Sequence, residues 1–152
     1  SGENFDGKSN EEAKKNFQEL LNRYPDSEYA KDSRQKLIFI NENIAAKDME
    51  VAIFYLKQKQ YLAALGRYNK VIEEYPKSKF IPEALYRLVE IYTILGMKEE
   101  AEKAASVIVY NYPQSQWYED SYSLINEEYY KKNKNNLGKK ILNLFRKNES
   151  KE

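Results

Sequence analysis

The chain contains neither cysteine nor histidine. Without Cys there is no disulfide, thiolate nucleophile, zinc–thiolate site or lipid-bearing thiol within these residues. Without His the commonest general base and metal ligand is missing, which removes Ser-His-Asp and Cys-His nucleophilic chemistry. Glycine is sparse: Gly2, Gly7, Gly66, Gly96 and Gly138 are scattered, and none builds a GxGxxG or GxxxxGK phosphate loop. Carboxylates, Lys and Tyr are left as the acid–base repertoire, so no enzyme, cofactor or metal is expected. No run reaches the eighteen apolar residues of a bilayer-spanning helix. The opening Ser1-Gly2-Glu3-Asn4 lacks the basic and apolar regions of a signal peptide. Residues 1–8 are therefore expected to be disordered or expression-derived.

Proline is also rare, and its placement is informative. Three of the four prolines recur in one punctuation: Tyr24-Pro25-Asp26-Ser27, Tyr75-Pro76-Lys77-Ser78 and Tyr112-Pro113-Gln114-Ser115. Each closes a stretch with helical apolar spacing, the mark of a repeat protein. A single repeat cannot bury its own apolar face, so neighbours stack into an extended core and leave a surface for a partner. At 152 residues and 41% hydrophobic the chain is long enough for one core, and 32% charge gives it a solvated exterior. The 14 tyrosines suit helix seams, with the ring against a neighbour and the hydroxyl wet.

Charge is uneven despite a net +1. Residues 1–30 balance to −3, whereas residues 131–152 carry eight Lys or Arg against Glu149 and Glu152. A lysine- and asparagine-rich terminus is more often a solvated tail than a nucleic-acid or lipid contact, and no nucleic-acid partner is expected.

The periodicity predicts helices throughout, with no β-signal. Ser9-Asn10-Glu11-Glu12 reads as a capping box opening a helix whose Ala13, Phe17, Leu20 and Leu21 share a face. From Glu28 the pattern runs without Gly or Pro to Gln58, with Leu37, Ile40, Ile44, Val51, Ala52, Tyr55 and Leu56 on one stripe. Asn41-Glu42-Asn43 is the place where this long helix would break if it breaks. Three further helices are predicted over Tyr61–Glu74, Pro82–Leu95 with Gly96 as the cap, and Lys98–Tyr110. Ser115 reads as the N-cap of a last repeat helix reaching about Tyr130. Residues 133–136 read as a loop, and Leu137, Ile141, Leu142, Leu144 and Phe145 as a basic amphipathic helix capping the repeats. Tyr24, Tyr75 and Tyr112 are read as packing residues, and Trp117 as closing the core.

Counting back about 34 residues from Pro76 puts Ala52, Tyr55, Ala64 and Tyr68 in the small and aromatic slots of a tetratricopeptide unit. Counting back from Pro113 puts Leu85, Leu88, Tyr92, Gly96 and Ala101 there, with Val89 and Ala105 as departures. The interval from Pro25 to Pro76 is 51 residues, so about half a unit is fused into the long helix. The fold expected is all-α, a tetratricopeptide-like right-handed helical solenoid over residues 9–132, followed by a basic segment over 133–152.

The run Asn16 to Asp32, then Glu50-Val51-Ala52 with Tyr55, Tyr61-Leu62-Ala63-Ala64 to Tyr75-Pro76, and Ile81-Pro82-Glu83-Ala84-Leu85 carries a more specific likeness. Over roughly residues 11–125 the chain resembles the C-terminal half of the BamD family, tetratricopeptide lipoproteins of the bacterial outer-membrane β-barrel assembly machine. The resemblance implies a scaffold on the periplasmic face of the outer membrane that supports folding and insertion of outer-membrane proteins. It implies protein partners, above all a POTRA domain of the barrel subunit BamA, and a lipid anchor carried on a Cys outside these residues. It also places the partner contact at Arg67, with Tyr61, Tyr68 and Lys70 beside it, and gives Arg67 a charge-assisted bond to a partner carboxylate. Gly66 departs from what the middle of such a helix calls for. Two readings compete: another tetratricopeptide adaptor in envelope or chaperone work, and a carboxylate-based glycan enzyme, which needs two facing acids in a cleft.

Overall fold

The computed structural model describes the backbone of residues 3–126 and the side chains of residues 8–126, and every regular element in that span is an α-helix. In chain order they are α1 (Glu3–Arg23), α2 (Glu28–Lys57), α3 (Tyr61–Glu74), α4 (Ile81–Ile94), α5 (Lys98–Asn111) and α6 (Tyr118–Ile125). The substantial interfaces join consecutive helices, α1 to α2 through α5 to α6, which is the nearest-neighbour stacking of a solenoid.

All three Tyr-Pro-X-Ser segments fold alike. The Ser N–H donates to the Tyr carbonyl in each, at 3.3 Å for Ser27, 2.9 Å for Ser78 and 3.0 Å for Ser115. Proline at the second position suits such a turn because its φ is already fixed there. The Ser hydroxyl then accepts from the next helix's leading backbone: Ala30 N–H at 3.2 Å, Phe80 N–H at 3.2 Å and Trp117 N–H at 3.3 Å. One tetrapeptide thus ends one helix and starts the next.

The opposite turns, within each hairpin, also match. Gln60 N–H donates to Tyr55 C=O at 2.9 Å and Lys59 N–H to Leu56 C=O at 3.0 Å; Met97 to Tyr92 and Gly96 to Thr93 do the same at 2.8 and 3.1 Å. This paired pattern needs a left-handed residue at the helix end, supplied by Gly96 at φ +73° and by Lys59 at φ +58°.

Small residues let the helices approach. Ala45, Ala52, Ala64, Ala84 and Ala105 are fully buried, and Tyr68, Val71, Leu85, Leu88, Val89, Ile91 and Ile108 fill the space between them. Trp117 packs against this core, stacked on Tyr86 with centroids 4.7 Å apart, beneath the Arg87 guanidinium at 5.7 Å. Among the described residues no helix is long and apolar enough to cross a membrane.

Several boundaries differ from expectation. α2 is one unbroken helix of 30 residues through Asn41-Glu42-Asn43. α1 begins at Glu3, so Ser9 lies inside it and is not an N-cap, and residues 3–8 enter the helix; the cap signal at Ser9 loses because intrahelical bonds continue upstream. α6 begins at Tyr118 with Trp117, whose amide donates to the Ser115 hydroxyl, as its N-cap residue, and ends at Ile125. Tyr24 is 58% exposed while Tyr75 is buried. Among the described residues α1 has α2 as its one substantial neighbour, so the tyrosine after it meets no second layer there. The loop at 133–136 and the stripe at 137–147 lie outside the described residues.

Candidate partner-binding site

Asp48 organises the surface where α2 meets α3. It sits within the apolar stripe of α2, flanked by buried Ala45, Met49 and Ala52, and its side chain is only 7% exposed. A carboxylate in that position requires compensation, because the loss of hydration is offset only by close opposite charge and good hydrogen bonds. Two cations from α3 supply it. Arg67 donates from Nη1 to Asp48 Oδ1 at 2.9 Å, and Lys70 Nζ lies 2.9 Å from Oδ2. Arg67 and Lys70 are three apart and so share a side of α3. Their side chains remain 41% and 37% exposed, so the cluster is an anchored acid beneath two half-open cations. The next positions around α3 are open: Leu62 is 77% exposed, Ala63 and Gly66 are exposed, and a Cβ placed on Gly66 would meet nothing within 4 Å.

Of the four residues assigned to the contact, the structure brings together Arg67 and Lys70. Tyr68 is 1% exposed and is a core residue, not a surface contact; one step along a helix turns the side chain by about 100°, from the rim into the interior. Burial pushes its hydroxyl pKa up to about 12, with Glu83 and Glu90 adding to the rise and Arg87 opposing it. Tyr61, half-buried, packs against the same core and lies about 120° around the helix from Arg67 and about 180° from Lys70. Asp48 was absent from the residues read out of the sequence. Its signal was nonetheless there: an acid at an inward position of an apolar period, which demands a basic partner on the facing helix.

Two other features stand apart. Arg87 on α4 bridges Glu90 at 2.8 Å and Glu83 at 3.7 Å. Burial pulls its pKa down, but the hydrogen bond and charge of Glu90, aided by Glu83, leave it raised on balance. Nearby, Tyr86 donates to Asp120 Oδ2 at 3.2 Å, and burial together with that carboxylate raises its pKa. On α2, Ile38 and Phe39 are 57% and 67% exposed and line a shallow groove of about 390 Å³ with Ala46 and Phe80. Among the described residues no three acidic side chains gather where they would hold a metal ion.

Comparison with known proteins matches residues 2–108 to the YfiO family model, described as outer membrane lipoprotein. The chain belongs to this family. Curated family relatives carry the name outer membrane protein assembly factor BamD. The one from Caulobacter vibrioides is 42% identical over 124 residues, 82% of this chain and 41% of the relative. Those from Rickettsia prowazekii and Neisseria meningitidis serogroup A are 42% and 34% identical, over 74% and 72% of this chain and 45% and 41% of their own lengths. The chain thus spans less than half the length of these BamD relatives.

Proposed function

We propose that this chain is the partner-docking part of an outer-membrane protein assembly factor, a scaffold at the periplasmic face of the outer membrane that takes a POTRA domain of BamA on its α2–α3 hairpin. Family membership and the relatives' name support the assembly role. The observation that carries the docking surface is the cation pair: Arg67 and Lys70 are fixed on Asp48 yet 41% and 37% exposed, next to the open backbone of Gly66. Arg67 presents a planar fork suited to a carboxylate, and the exposed Ala63, four residues before it, lies on the same side of α3, with Leu62 exposed farther round. Barrel folding and insertion are supported by holding the partner in place, with no chemical step assigned to this chain.

The test is a chemical-shift map of the isotope-labelled chain as BamA POTRA domain is added. Shifts centred on residues 62–70 of α3 are expected. Shifts centred on the Arg87–Trp117 cluster, or on the Phe39 groove, would move the docking surface elsewhere.

A further inference from the structure

We infer that Asp48 is a positioning residue: its buried carboxylate fixes the Arg67 guanidinium, and with it the Lys70 ammonium, in the geometry that receives an acidic side chain of the docked protein. This rests on the docking reading above. Arg67 grips Asp48 through Nη1, at 2.9 Å, so Nη2 and Nε remain as donors on a side chain 41% exposed. Lys70 has three N–H donors and meets Asp48 from the other oxygen, at 2.9 Å. One carboxylate held by two cations leaves an excess of one positive charge and several unused donors, at the edge of α3. That is a receptor for a carboxylate.

Two physical effects of Asp48 oppose each other, which makes its role measurable. As a negative charge beside the cations it weakens their attraction for an acidic partner. As an anchor it removes in advance the rotamer freedom that a long Arg side chain otherwise loses on docking, a cost worth roughly three- to tenfold in affinity. The side chain of Asp48 is 7% exposed, whereas the partner-facing groups are about 40% exposed, so a partner touches the cations and not the acid. Anchoring therefore dominates, and neutralising Asp48 weakens binding although it makes the surface more positive.

The experiment combines a titration with BamA POTRA domain and a measurement of Arg67 side-chain order. Asp48→Asn, which keeps the size and loses the charge, is expected to weaken binding roughly three- to tenfold. On an Arg67→Ala background the same substitution is expected to cost clearly less than in the unsubstituted chain, the remainder acting through Lys70, a non-additivity that a purely structural role would not produce. Asp48→Leu, of similar shape, serves if the amide variant fails to fold, because an apolar replacement leaves no unpaired acceptor. Unchanged or tighter binding of Asp48→Asn, or full additivity with Arg67→Ala, overturns the inference. Independently of any partner, NMR relaxation of Arg67 Nε–H should report a restrained side chain in the unsubstituted chain that loosens in Asp48→Asn. A mobile Arg67 in the unsubstituted chain overturns the inference by itself. If the unsubstituted chain does not bind the POTRA domain, the docking reading fails, and the Arg67 relaxation alone decides whether Asp48 positions it.

Discussion

Tyr68 and Tyr75 show how burial of a titratable group translates into a measurable dependence on pH. Burial, foremost, raises both hydroxyls from the ordinary 10 to about 12; Glu74, Glu11 and Asp48 add to the effect at Tyr75. The folded state thus holds these protons more tightly than the unfolded chain. Their contribution to stability is fully present below pH 10 and is lost as pH rises toward 12. The melting temperature is expected to fall across that interval, and tyrosinate absorbance followed with pH should show a late-ionising fraction that Tyr68→Phe reduces. Legibility at this scale was uneven. Tyr68 was readable as a core aromatic from its slot in the repeat, yet its neighbour Arg67 drew it into the partner surface. Arg67 was placed through family likeness alone, because periodicity says which side a residue faces and not what a half-exposed arginine touches. Asp48 was readable from its own stripe, and the pairing with Arg67 and Lys70 needs only that α2 and α3 pack side by side.

Helix ends govern the elements. The sequence marks three of them with Tyr-Pro-X-Ser, and the hydrogen bonds at Ser27, Ser78 and Ser115 explain why one tetrapeptide recurs. It marks α4's end with Gly96 but has no glycine at the equivalent turn after α2, where Lys59 adopts φ +58°. A lysine there strains against its own Cβ by about 1–2 kcal/mol, while glycine loses more backbone entropy on folding, about 0.5–1 kcal/mol. Lys59→Gly is accordingly expected to stabilise the chain by about 0.5–1 kcal/mol, seen as a higher midpoint in urea unfolding at unchanged slope. Unaltered or lower stability would mean the turn tolerates lysine without strain. The α2 periodicity predicted a single helix with Asn41-Glu42-Asn43 as its weak point, and packing of Ile40, Ile44 and Ala45 on both sides of that point keeps it whole. The ends of α1 and α6 were less legible because cap residues such as Ser9 and Ser115 also occur within helices and turns, and tertiary neighbours decide which role they take.

At the scale of the whole molecule, consecutive hairpins meet through alanines and aromatics, with each layer resting on the next. Among the described residues this is a stack of layers. Its distinctive surfaces are the edges between layers, and at the α2–α3 edge two basic side chains stand on a buried acid beside an unencumbered stretch of helix. The repeat organisation was legible from proline spacing and the seam alanines, since both are local and periodic. The proposed docking surface was only half legible, because it depends on contacts between residues 19 and 22 positions apart. The decisive experiment for the proposed α2–α3 surface is a calorimetric titration of this chain with BamA POTRA domain, repeated with Arg67→Glu. Saturable binding by the unsubstituted chain, weakened at least about 30-fold by the reversal of charge with helix content unchanged, is the predicted result. No binding, or equal binding by both chains, would contradict it.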